Sequence, residues 1–239
     1  MGRFNNNWSA KLMYGQAFRQ PYPAELYLNI PMSVFGNPNL KAEKISTFEG
    51  QITYRNMKME ANLGIFKSIL EDTIEINPVT KIYRNGEDVD SYGIEFDMRY
   101  KLTESVSFDM SFLSQRNEND AGVKDRYGTP NLMLKTGVNY SADNGFTIGV
   151  FNTYMDASSY NKDALKVNPD PNEVSLLSAN IDIDLPRFLN AGNMPESSFS
   201  LYFNNILDED HVTYSTVNTI NTNIIQSGRE VYGKLTVKF

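Results

Sequence analysis

Along residues 91–102 the side chains alternate without a break: Tyr92, Ile94, Phe96, Met98 and Tyr100 fall on one face of an extended strand, and Ser91, Gly93, Glu95, Asp97 and Arg99 on the other. One face suits lipid and the other water. The same period of two recurs along the chain and predicts about ten strands of roughly ten residues each. The first four cover residues 8–18, 45–55, 58–69 and 91–101. The fifth carries Val106, Phe108, Met110 and Phe112, the sixth Leu132, Leu134, Val138 and Tyr140, and the seventh Phe146, Ile148 and Val150. The eighth runs through Leu177, Ala179, Ile181, Ile183 and Leu185, the ninth through Phe199, Leu201 and Phe203, and the tenth through Val231, Gly233, Leu235, Val237 and Phe239.

The connections alternate in length. Asn56, Thr103-Glu104 and Asp143-Asn144-Gly145 mark short turns, the last with an Asn-Gly pair suited to the positive φ angles of a tight hairpin. Long polar stretches lie between them, at residues 19–44, 70–90, 115–129, 156–173 and 206–228. The stretch 70–90 contains two short strand-like pieces, 73–76 and 79–83, and a turn pair at Asn85-Gly86. One connection, 186–197, is long where a short one is due.

Long connections at one end and short ones at the other predict an all-β, antiparallel transmembrane β-barrel, with short turns in the periplasm and long loops outside. Counting from that rule, both termini lie in the periplasm. The polar face of the eighth strand, with Asn180, Asp182 and Asp184, would be costly in a dry core and calls for a wet lumen. Tyr14, Phe18, Tyr54, Tyr100 and Tyr140 sit near strand ends, where an interfacial girdle belongs. A soluble sandwich or lipocalin-like barrel also alternates, but has less reason to gather its long loops at one end.

Composition narrows the chemistry. With 22 basic and 29 acidic residues in 239, the net charge of −7 argues against a nucleic-acid partner. The chain has no cysteine and one histidine, His211, and no Gly-x-Ser-x-Gly elbow, so neither an enzyme, a metal site nor a cofactor is expected. Asp156, Asp163, Asp170 and Glu173 share one loop but lack the compact spacing of a calcium site and read as a solvated acidic surface. No apolar run approaches the ~18 residues of a membrane helix. Met1-Gly2-Arg3-Phe4 leads into strand-like sequence without the segments of a signal peptide, so the chain is expected to be a piece of a longer protein.

Tyr14-Gly15-Gln16-Ala17-Phe18-Arg19-Gln20-Pro21, followed by Glu25-Leu26, resembles a motif in the barrel of TonB-dependent outer-membrane receptors. Gly36-Asn37-Pro38-Asn39-Leu40-Lys41-Ala42-Glu43 is similar to that family's Gly-Asn-Pro-x-Leu-x-Pro-Glu stretch, with Ala42 in place of the usual proline. Asn205-Ile206-Leu207-Asp208 and the ending from Gly228-Arg229 to Phe239 match further segments in order. The resemblance implies that residues 1–239 are the C-terminal portion of a plugged barrel of about 22 strands, with plug domain and signal peptide absent. It further implies uptake of a scarce nutrient, most often a ferric siderophore, and a terminal Phe239 read by the barrel-assembly machinery. Energy would come from TonB-ExbB-ExbD through the missing plug, and the wall would face outer-membrane lipid.

A nutrient chelate would meet the long loops, where Tyr22, Tyr27, Arg126, Tyr127, Tyr160, His211 and Tyr214 offer aromatic faces and positive charge. A self-contained ten-stranded pore, an outer-membrane enzyme and a gene remnant are the alternatives that the residues leave open.

Overall fold

β-branched and aromatic residues at every second position favour extended backbone, and the paired backbones then fix which side chains share a face. In the computed structural model, which describes residues 2–31, 33–125, 129–157, 172–213 and 224–238, ten long strands follow. They are β1 (Trp8–Arg19), β2 (Glu43–Arg55), β3 (Met59–Glu71), β4 (Val89–Lys101) and β5 (Val106–Asn119). The rest are β6 (Leu132–Ser141), β7 (Phe146–Met155), β8 (Val174–Asp184), β9 (Ser197–Asn204) and β10 (Glu230–Val237). All lie in one antiparallel sheet in chain order, with a two-residue strand, Gly2–Arg3, added outside β1. That addition is too short for alternation to flag.

Register gathers the apolar positions into continuous rows. Met59, Tyr100, Phe108, Val138, Val150, Ala179, Phe203 and Val231 stand side by side from β3 to β10. Ala10, Ile52, Leu63, Phe96, Phe112, Leu134 and Tyr154 form a second row from β1 to β7. On the opposite face Ser9, Thr53, Asn62, Asp97, Ser111, Lys135 and Thr153 make a row without a hydrocarbon side chain. Among the described residues nothing covers the apolar face: Leu12 is 85% exposed and Leu235 64%, and Val89 is the one buried hydrophobic residue. A soluble sandwich would bury that face; here it is a bare band wide enough to require an apolar solvent. Among the described residues no ladder joins β10 to β1 or to Gly2–Arg3, so both sheet edges stay open.

Four local expectations are revised. β5 continues through the polar run to Asn119 because its backbone pairs with β4 as far as Val89, and Asn117 and Asn119 are buried there. In the β3–β4 connection the ribbon pairs Ile74–Ile76 with Tyr83–Asn85, and the turn lies at 77–80, where Asn77 accepts from the Val79 and Thr80 amides. Asn85 is therefore a strand residue, and Asn85-Gly86 is not the turn. In the β6–β7 hairpin only Gly145 takes a positive φ, 86°, and the Gly145 amide donates to Ala142 (3.2 Å), so Asn144 needs none. β8 ends at Asp184, and Leu185 begins a short helix, Leu185–Phe188, with proline in its first turn.

Candidate functional site

The five long connections leave one end of the sheet, and two of them, joining β1 to β2 and β3 to β4, meet side by side. Pro23 starts a short helix, Pro23–Tyr27, whose Glu25 reaches back to the Tyr22 amide (2.7 Å). The same carboxylate meets Arg19 at the end of β1: Nη1 donates to Oε1 and Oε2 at 3.1 and 3.0 Å. Arg19 Nε donates to Glu43 at the start of β2 (2.5 Å), while Glu43 also accepts from the Ile74 amide (2.7 Å). One guanidinium thus ties β1, β2 and the short helix together, and Glu43 carries the tie into the next connection. Arg19 also lies 5.1 Å from the centre of the Tyr22 ring.

The second motif completes the same unit. The Gly36 amide donates to Leu28 (2.5 Å), and a Cβ on Gly36 would fall 2.5 Å from the Leu26 carbonyl carbon, so only glycine allows this approach. The Asn37 amide donates to Glu25 (2.8 Å), and Asn37 Nδ2 donates to the Tyr83 carbonyl (3.0 Å). Asn85 accepts from the Lys41 amide (2.9 Å) and donates to the carbonyls of Lys41 (3.1 Å) and Asp72 (2.8 Å). Two connections far apart in sequence form one braced rim. Glu25 was visible beside the first motif, but Asn85 carried no local signal of its partners.

The remaining motif residues divide by face. Tyr14 and Phe18 point to the apolar side, 56% and 70% exposed, with Tyr14 against Phe48 at 4.6 Å between ring centres. Gly15 and Ala17 pair with Thr47 and Ile45 on the other side. Pro21 and Leu40 are half-buried and Pro38 is exposed at the turn, where proline stops further pairing. After β9, Asn205 is buried and exchanges hydrogen bonds with Glu209 through both amide atoms (2.9 Å each). Asp208 accepts from the Arg229 amide (2.7 Å), which draws the two ends of the last long connection together.

Of the candidate ligand residues, Tyr22 and Tyr27 flank one short helix and are 61% and 72% exposed. His211 lies in the β9–β10 connection, eight strands along the sheet, half-buried and 3.3 Å from the Glu209 carbonyl. Arg126, Tyr127, Tyr160 and Tyr214 lie outside the described residues, as do Asp163, Asp170 and Phe239. Below the rim, the polar face carries paired charges: Arg99 donates to Asp109 (2.6 Å), which also accepts from Asn139 (2.7 Å), and Ser111 donates to Asp97 (2.6 Å). Asp182 accepts from Ser200 and Asn180, each at 2.6 Å. This wall is matched to water or to a polar partner, and among the described residues no group of three His, Asp or Glu converges on a metal position.

A family model described as TonB dependent receptor-like, beta-barrel matches residues 3–206. The chain is similar to the solved structure of a copper transporter, OprC, with a TM-score of 0.76 at 17% identity, covering 99% of this chain and 38% of that one. It is similar to the unliganded ferric citrate transporter FecA, with a TM-score of 0.73 at 17% identity, covering 99% of this chain and 37% of that one. A third likeness is to the ferric yersiniabactin uptake receptor FyuA from Yersinia pestis, at 0.73 and 14% identity, covering 96% and 34%. At these identities the likeness shows the fold, and the chain spans little more than a third of each of those proteins.

Proposed function

The chain belongs to the TonB-dependent receptor β-barrel family, and from that premise we propose that it forms the C-terminal ten long strands of a barrel of about 22, in a receptor that takes up a metal chelate. The observation that carries this reading is the apolar row from Met59 to Val231, which no other described residue covers, on a sheet whose two edges are unpaired among the described residues. A ferric siderophore is the substrate class we favour, because the similar structures are named for ferric citrate, ferric yersiniabactin and copper. Residues 1–239 then follow a plug and a signal peptide in the whole protein, and TonB-ExbB-ExbD acts through that plug. The apolar rows face outer-membrane lipid, and the barrel-assembly machinery reads the last strand with Phe239.

In this reading the braced rim faces outward and both termini of the segment are periplasmic. Tyr22 and Tyr27 on the rim, and His211, Arg126, Tyr127, Tyr160 and Tyr214 on the other long connections, meet the chelate as it arrives. Two experiments test the proposal. Deleting the gene for the whole receptor is expected to abolish uptake of one radiolabelled ferric chelate among hydroxamate, catecholate and carboxylate types, with the intact gene restoring it. Unchanged uptake of all of them would overturn the iron assignment. In intact cells a membrane-impermeant maleimide is expected to label Val79→Cys and not Glu104→Cys; the reverse pattern would invert the orientation.

A further inference from the structure

The connection 185–196 is the one long turn at the end otherwise held by short ones, and it is built as more than a tether. The Asp184 side chain accepts from the Arg187 amide (3.2 Å), and the Leu189 amide donates to Leu185 (3.0 Å), which closes a helical turn. The Arg187 and Asp184 Cβ atoms are each 3.1 Å from the place a Cβ on Gly145 would occupy, and Asp184 pairs with Ser198 on the polar face. Arg187 therefore sits on the polar side of the sheet. Leu185, Phe188 and Leu189 fall at i, i+3 and i+4, on the helix face opposite Arg187. That face turns toward the side on which Phe146, Ile183, Phe199 and Leu235 stand in register.

We propose that this turn is an interfacial anchor, with Leu185, Phe188 and Leu189 seated among the phospholipid acyl chains of the inner leaflet of the outer membrane. The inference rests on the barrel reading above. Phe188 and Leu189 are 43% and 59% exposed and Leu185 is half-buried, so among the described residues the outer part of the face has no partner. Lipid is its occupant because the face continues the apolar rows past the last cross-strand pair, whereas a protein in the lumen would meet Asp184 and Arg187 instead. A short helix with one apolar and one polar side is the form that lies in a membrane interface.

The test uses the whole receptor, reconstituted in phosphatidylethanolamine and phosphatidylglycerol vesicles with or without bromine on the acyl chains. An environment-sensitive fluorophore is placed at Phe188→Cys or Leu189→Cys, at Leu235→Cys on the apolar row, and at Thr236→Cys on the polar face. The expected result is a blue shift and bromolipid quenching at Phe188→Cys and Leu189→Cys comparable to those at Leu235→Cys, with none at Thr236→Cys. Quenching at Leu235→Cys without quenching at either helix position would overturn the anchor and leave the barrel standing. Loss of the contrast between Leu235→Cys and Thr236→Cys would overturn the barrel reading, and the anchor with it.

Discussion

The braced rim at one end of the sheet and the tight turns at the other are held by different kinds of bond. At the short-turn end Asn56 accepts from the Lys58 and Met59 amides, Thr103 from Ser105 and Val106, and Asn144 from Phe146, all two or three residues apart. At the loop end Arg19 reaches Glu43 across 24 residues, Ile74 reaches Glu43 across 31, and Asn37 reaches Tyr83 across 46. A short turn closes as soon as its own few residues meet, and it seeds the hairpin that it joins. The braced rim is complete only after β1, β2 and β3 are in place, because the Ile74–Glu43 and Asn37–Tyr83 bonds each span the whole β2–β3 hairpin. Its stability is therefore concentrated in a few side chains, and those side chains are where the difference between the ends is broken most easily.

Arg19→Ala should have the largest effect. It leaves two part-buried carboxylates, Glu25 and Glu43, without their cation and costs the rim about 3 kcal/mol. In the whole receptor, hydrogen exchange at amides 25–28 and 36–41 should rise steeply while amides of the short turns keep their protection. Arg19→Lys should recover only part of the loss, since an ammonium cannot bridge both carboxylates as the planar fork does. Unchanged exchange at 36–41 in the alanine variant would show that the brace is not held by this residue. Asn85→Ala comes next at about 2 kcal/mol, from three lost hydrogen bonds and a Lys41 amide left without its partner. Because both residues hold one unit, the double variant should lose less than the sum of the singles, and strict additivity would split the rim into two independent loops.

The same division decides what could be read in the sequence. Alternation exposed the ten long strands because side-chain period is a local property, and the resemblance of residues 14–21 and 36–43 to a known motif marked Arg19, Gly36, Asn37 and Glu43. The reason for the motif was hidden. Gly36 is glycine because the Leu26 backbone passes too close for a Cβ, and Asn37 is needed by Tyr83, a residue that no spacing rule connects to it. Asn85-Gly86 has the dipeptide of a turn, yet Asn85 bonds Lys41 and Asp72 instead, so tertiary partners override the local preference. The polar run after Gln115 misled for a related reason. Beyond the bilayer a strand needs only a backbone partner, and β4 supplies one up to Val89. Of the ligand candidates, Tyr22 and Tyr27 are united by a five-residue helix too short to leave a helical period in the sequence.

Asn56→Ala is the smallest change and the sharpest control on this division. Its side chain satisfies two amides at 2.9 and 2.7 Å in an exposed turn, where water can replace part of what is lost, so the cost is about 1 kcal/mol. Hydrogen exchange should quicken at amides 58 and 59, and the β2–β3 ladder should fray from that end alone. The rim lies at the far end of the same two strands, through Glu43 on β2 and the residues that follow Glu71 on β3. A chain whose ends are independently held transmits nothing along those strands, so amides 36–41 should exchange as before. Faster exchange there would mean that the brace depends on the hairpin turn beneath it, and the two ends would then be a single cooperative unit.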